Sequence, residues 1–181
     1  MIADSKVQVI INQKLYNMTT NRKTQPIPKG YHTLTPYINV KGAAEAIEFY
    51  KKAFGAKEIG RITMPDGSIG HAEIEIGDSK IMLAEESPQW NNKSPQTLGG
   101  SPVCLCLYVE DVDVLFAQAL AAGAKVSNKM EVKDQFYGDR TGTLTDPFGH
   151  QWSIMTHIED VSFEEMQKRS DAMFAENNKN A

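Results

Sequence analysis

An α+β fold made of two successive strand–helix–three-strand units is predicted by three observations. Gly55-Ala56-Lys57 recurs as Gly123-Ala124-Lys125, an offset of 68 between residues 55 and 123. Around each copy the same succession appears: a period-2 run, apolar residues at helical spacing, then three extended runs. Turn-forming groups, Pro65-Asp66-Gly67, Gly77-Asp78 and Asp146-Pro147-Phe148-Gly149, separate the extended runs.

The first unit spans residues 31–86. Residues 33–40 read as its first strand. From Gly42 onward Ala43, Ala46, Ile47, Tyr50 and Phe54 fall on one helical stripe, and Gly55 supplies a left-handed stop. Residues 57–64, 70–76 and 79–84 follow as strands. A linker, residues 87–102, is rich in Ser, Pro, Gly and Asn. The second unit, residues 103–157, opens with a strand at 103–109 that aligns Val109 with Val40. Asp111 then caps a helix whose inward stripe is Val112, Leu115, Phe116, Ala119 and Leu120, ended by Gly123. Strands at 124–128, 141–146 and 150–156 complete it. In residues 158–181 a further helix is signalled by the capping box of Ser162 and Glu165 and a staple between Val161 and Met166. Phe163, Met166, Met173 and Phe174 share one side of that helix, which is expected to pack on this domain or on a partner subunit. Residues 1–30, ending Pro26-Ile27-Pro28-Lys29-Gly30, read as an irregular leader outside the core; an edge strand at residues 7–11 is the alternative.

Composition narrows the function classes. With 181 residues, 41% hydrophobic and 23% charged, the chain has ordinary globular proportions. A net charge of −4 leaves no cationic surplus to hold a phosphate backbone, so no nucleic-acid partner is expected. No apolar run approaches the roughly 20 residues that cross a bilayer, and no cleavage-site pattern is seen. We therefore expect no membrane partner and a cytoplasmic location. Cys104 and Cys106, one residue apart on a strand, sit too close for an ordinary disulfide. Structural-zinc pairs, HExxH, phosphate-binding loops and the nucleophile elbow are all absent.

Strand parity separates a helix-packing face from a second, mixed face. Ala72, Ile74 and Ile76 oppose His71, Glu73 and Glu75; Val103, Leu105, Leu107 and Val109 oppose Cys104, Cys106 and Tyr108. Thr35, Tyr37, Met82, Thr141, Thr143, Ser153 and Met155 join the second face by the same rule, and Trp152 joins the helix side. A mixed polar and aromatic face suits a curved, ligand-sized cleft; a face that merely meets solvent is the bland alternative.

Thr35-Pro36-Tyr37, Ala46-Ile47-Glu48-Phe49-Tyr50, Phe54-Gly55-Ala56, Pro65-Asp66-Gly67, Gly70-His71-Ala72 and Asp146-Pro147-Phe148-Gly149-His150-Gln151-Trp152 occur in order. Together they resemble the vicinal oxygen chelate superfamily, which includes glyoxalase I, bleomycin resistance proteins and extradiol dioxygenases. With Phe136-Tyr137-Gly138-Asp139-Arg140, the chain is most similar to the demethylubiquinone-methyltransferase-like glyoxalase subgroup. The resemblance implies a glyoxalase-like fold: two βαβββ modules curling sheets around a cleft, in a homodimer. It also implies four metal-ligand positions, which map here onto Thr35, Met82, Cys104 and Ser153. None is His or Glu, so no metal or other cofactor is expected.

Two functional readings remain open. The first is a cleft that binds a small organic molecule, with Thr35, Tyr37, Met82, Cys104, Tyr108, Phe136, Tyr137, Arg140 and Ser153 as ligand-binding candidates. Aromatic rings offer stacking surfaces, and the Arg140 guanidinium could fork onto an anion unless an ion pair with Asp139 or Asp146 consumes it. The second is a lyase, isomerase or dioxygenase-type enzyme. There His71 and Glu73, two residues apart on the cleft face, serve as catalytic base and partner, with or without a non-standard metal site.

Overall fold

The structure, a computed structural model, describes residues 24–179, with side chains through residue 175. The alternative edge strand at residues 7–11 lies outside the described residues. The first unit comprises β1 (Tyr37–Val40), α1 (Ala43–Phe54), β2 (Lys57–Thr63), β3 (Ile69–Ile76) and β4 (Ser79–Glu85). A 3₁₀ turn (Pro88–Trp90) and the short α2 (Pro95–Leu98) cross to the second unit. That unit comprises β5 (Cys104–Tyr108), α3 (Val112–Ala122), β6 (Lys125–Val126), β7 (Lys133–Asp134), β8 (Asp139–Thr145) and β9 (Gln151–His157), before α4 (Phe163–Lys179). The first sheet runs β1-β4-β3-β2 and the second β5-β9-β8-β6, with β7 added beside β8. In each sheet the first strand is parallel to the last, Tyr37 facing Met82 and Cys106 facing Ser153. The duplicated order read from the sequence is therefore also a duplicated topology.

The two helices are started in equivalent ways that local sequence does not reveal. Gly42 and Ala43 donate their backbone N–H groups to the Glu85 carboxylate at 2.8 and 2.7 Å. In the second unit the Val112 N–H donates to Thr156 Oγ1 at 2.9 Å, while Asp111 caps the Val114 N–H at 3.0 Å as its position suggested. Glu85 and Thr156 both sit at the end of the last strand of their sheet, so each sheet satisfies its own helix's orphan donors.

One core serves both units. Ala43, Ala46, Ile47, Tyr50, Ala53 and Phe54 of α1 pack on Val40, Ile74 and Leu83, and the second unit adds Phe116, Leu144, Trp152 and Ile154. Trp152 lies against Phe54 and Tyr50, with ring centroids 4.5 and 5.5 Å apart. Leu120, expected on the inward stripe of α3, is instead 37% exposed; Val112, Phe116 and Ala119 take the buried positions. The two helices lie against each other, so a helical face wide enough for five residues has room for only part of it against the sheet.

Asp146 ties the seam. Its buried carboxylate accepts from Tyr50 Oη at 2.8 Å, Trp152 Nε1 at 3.0 Å, and the backbone N–H groups of Phe148 and His150 at 2.9 Å each. Burial, then the neighbouring Asp146 charge, push the Tyr50 phenol well above its ordinary pKa, so it remains a donor. Replacing Asp146 by Ala strands four donors, each costing about 1–3 kcal/mol when buried without a partner. We expect Asp146→Ala to lose at least about 3 kcal/mol in urea denaturation and Tyr50→Phe about 1–2 kcal/mol.

Candidate functional site

The non-helical faces of the two sheets carry the candidate side chains, because alternation along each strand sends the intervening residues into the core. A groove of about 880 Å³ runs between the first strands of the two units, β1 and β5. Its walls are largely apolar, including Leu34, Leu98, Val103 and Leu105, with Thr35, Tyr37, Cys104 and Tyr108 among the polar and aromatic groups lining it. Tyr108 is 61% exposed and Tyr37 48%, so both rings are accessible, Tyr37 with His71 beside it at 5.7 Å between centroids.

On the first sheet a smaller hollow of about 410 Å³ lies between Glu73, Met82 and the segment from Pro26 to Thr35. Tyr37 Oη lies 3.3 Å from His71 Nδ1, and His71 Nε2 lies 3.4 Å from Glu73 Oε1. The other Glu73 oxygen accepts from the Tyr31 hydroxyl. That hydrogen bond, and secondarily His71, hold the Glu73 carboxyl below its usual range; the same bond pushes the Tyr31 phenol up to about 12. His71 and Glu73 are thus neighbours, but at a separation longer than a good charge-assisted hydrogen bond.

On the second sheet the structure assembles a cluster not singled out from sequence. Tyr108 Oη donates to Asp139 Oδ2 at 2.8 Å, His157 Nδ1 lies 2.7 Å from Asp139 Oδ1, and His157 Nε2 lies 3.0 Å from Asp160 Oδ1. The Asp139–His157 pairing is set by the register of β8 on β9 and spans 18 residues, so spacing along the chain carries no sign of it. Ser153 sits on this same face, opposite Cys106 and Thr143.

Arg140 belongs to the other side. It follows Asp139 on β8, so its side chain leaves through the helix face, where it forks onto Asp113 at 2.7 and 2.8 Å and reaches Asp134 at 2.8 Å. Both acids are already committed to it, so Arg140 is a strut between α3 and β7 and not a ligand anchor. Its partners are neither Asp139 nor Asp146, the pair that sequence proximity suggested. Phe136 and Tyr137 stack edge to face, centroids 5.3 Å apart, in the loop before β8. Cys104 has its thiol pKa raised, first by burial and then by Cys106, which disfavours a reactive thiolate.

The four positions mapped onto the family's metal ligands do not suit a metal. Thr35 and Met82 share the small hollow, Thr35 and Cys104 share the groove, and Ser153 lies on the second sheet. Two hydroxyls, a thioether and a thiol are poor donors for the hard or borderline divalent ions of such sites. Among the described residues no helix is long and apolar enough to cross a membrane.

Paired βαβββ units, parallel first and last strands and an open groove between the units define a glyoxalase-type architecture. The model of the Glyoxalase/Bleomycin resistance protein/Dioxygenase superfamily matches residues 30–154, and the chain belongs to that family. It is 44% identical over 137 residues to the Mycobacterium tuberculosis "Uncharacterized protein Rv0887c", covering 74% of this chain and 79% of that protein. Two solved structures share the fold. A "Putative 3-demethylubiquinone-9 3-methyltransferase, PhnB protein, from Bacillus cereus" is 18% identical with TM-score 0.54, covering 69% of this chain and 99% of that one. A bleomycin resistance determinant encoded on the transposon Tn5 is 17% identical with TM-score 0.53, covering 70% and 98%.

The His157 cluster makes a pH prediction. Hydrogen bonds donated to Asp139 first, then to Asp160, raise its imidazole above the ordinary value of 6.5. A raised folded pKa stabilises the fold fully below the unfolded value, and that contribution fades as pH rises through the folded value. Titration of the His157 ring followed by NMR should give a midpoint above 6.5 that falls in Asp160→Asn and falls further in Asp139→Asn.

Proposed function

We propose that this protein binds a small organic molecule in the groove between β1 and β5, sequestering it without metal chemistry. The groove itself carries the reading. At about 880 Å³ it falls in the range of roughly 300–1,000 Å³ typical of drug-sized sites. Apolar walls with a few polar groups supply burial and orientation respectively. A bleomycin resistance determinant is among the solved structures that share the fold, which is consistent with an architecture that can serve a small organic molecule. Tyr37 and Tyr108 are the stacking surfaces, with Thr35 and Cys104 beside them; Met82 lines the smaller hollow instead, and Ser153, Phe136 and Tyr137 line neither cavity.

Thermal shift against a panel of aromatic, drug-sized compounds tests this, since a ligand that binds only the folded state raises the transition temperature. Cys106→Trp fills the groove from an exposed strand position and should abolish the shift for every compound that stabilises the wild type. Tyr37→Ala and Tyr108→Ala should each weaken binding by about tenfold, the scale of one lost aromatic anchor. Shifts that persist in Cys106→Trp would remove the groove as the site.

The same reading includes a cytoplasmic homodimer. Phe163 is 90% exposed and Phe174 59% on α4, with Met173 next to Phe174, apolar surface that a second subunit would cover. Sedimentation velocity at micromolar concentration should give a species of twice the chain mass, reverting to monomer in a Phe163→Glu/Phe174→Glu double variant.

A further inference from the structure

Two thiols line the groove side by side. Cys104 and Cys106 alternate with Leu105 along β5, so both stand on the same side of the strand as Tyr108. β5 is the outermost strand of its sheet, both cysteines are free and exposed, and both line the groove. Two residues of strand separate their Cα atoms by roughly 6.6 Å, a gap that two side chains narrow from the same side. The two groups also sense each other: after burial, the neighbouring Cys106 contributes most to the raised Cys104 thiol pKa. Their cross-strand partners on β9 are Gln151 and Ser153, neither of them charged.

Four features define what such a pair would bind. Among the described residues no three His, Cys, Asp or Glu side chains are placed to hold a metal ion, so an ion that demands three or four such donors is poorly served. Two sulfurs are soft donors and suit a thiophilic centre that needs only two of them. The Cys104 thiol is held protonated, which favours a centre that releases its oxygen ligands as water over one that requires thiolates in advance. Beside the pair the groove is largely apolar, and the Tyr108 ring stands next along the strand, 61% exposed, so a flat aromatic group on that centre gains burial and a stacking partner.

We propose that Cys104 and Cys106 form a dithiol site in the groove for a trivalent arsenical carrying one aromatic substituent. This rests on the reading of the groove as a small-molecule site and names a class of molecule it takes. The arsenic enters as a dihydroxide bearing the aromatic group. Each thiol displaces one hydroxide: two As–O bonds break, two As–S bonds form, and the two thiol protons leave with the hydroxides as two waters. Arsenic stays trivalent, so no oxidant or reductant is needed. The bridged product is uncharged, which suits walls that include Leu34, Val103 and Leu105. Its aromatic group lies along the groove beside Tyr108.

The probe is phenylarsine oxide, which hydrates to the phenyl dihydroxide, added to the full chain with its thiols reduced. Intact mass should show one phenylarsenic group per chain and the loss of two hydrogens. Mercaptoethanol, with one thiol, should leave the adduct in place, and dimercaptopropanol, with two, should remove it. Cys104→Ser and Cys106→Ser change exposed positions, and each should weaken binding at least about a hundredfold, the scale lost when a second, tethered contact is removed. Tyr108→Ala keeps both thiols and should weaken phenylarsine oxide several-fold more than methylarsonous acid, since only the former has a ring to stack. An adduct equally tight in either serine variant, or one stripped by mercaptoethanol, would overturn the proposal. Equal losses for the phenyl and methyl arsenicals in Tyr108→Ala would overturn it too. The groove reading is judged separately, by the thermal shifts of arsenic-free aromatic compounds, which should persist in both serine variants and vanish from the phenylarsenic adduct. Shifts that survive in the adduct would place the dithiol outside the binding groove and overturn the proposal, while leaving the groove reading intact.

Discussion

The carboxylate of Asp146 is the point on which the two halves of the molecule depend. It is a buried charge with four donors, one from α1 of the first unit and three from the second. An unpaired carboxylate in that position would cost several kcal/mol, so the arrangement is stable only when Tyr50 and Trp152 are both seated and the turn before β9 is closed. Packing then follows from polar satisfaction: Trp152 is drawn against Phe54 and Tyr50, α1 is fixed beside α3, and the first strands of the two units flank an open groove.

The repeat has kept its framework and diverged on its open faces. Glu85 and Thr156 occupy matching strand ends and start matching helices, one with a carboxylate and one with a hydroxyl. On the non-helical faces the first unit offers a Tyr37–His71–Glu73 chain and the second a Tyr108–Asp139–His157 cluster. These clusters are not equivalent by position: the register that aligns Tyr37 with Cys106 gives the two tyrosines different places on their sheets. The two units therefore share what folds the chain and differ on their open faces.

Alternation along β8 explains how adjacent residues come to have unrelated roles. Asp139 faces the open side, with Tyr108 and His157, whereas Arg140 faces α3 and is consumed by Asp113 and Asp134. A guanidinium that looks available in sequence is held by two carboxylates, each of them closer than 3 Å.

The repeat, the order of its main strands and helices and the separation of core from open face were legible in the sequence, because period-2 and helical apolar patterns are local properties that burial enforces residue by residue, whereas the two-residue β7 and the four-residue α2 are too short to leave such a pattern. So was the family, whose motifs lie in the turns and helix stripes that build those elements. Pairings that depend on register were not legible: His157 with Asp139, Glu85 with the start of α1, and Arg140 with Asp113 join residues 18, 43 and 27 positions apart. Nor was the seating of Tyr31 against Glu73, which spans 42 positions. Those contacts arise only when two sheets and two helices are brought together, because strand register and helix docking decide which polar groups meet, and neither is encoded by any short stretch of chain.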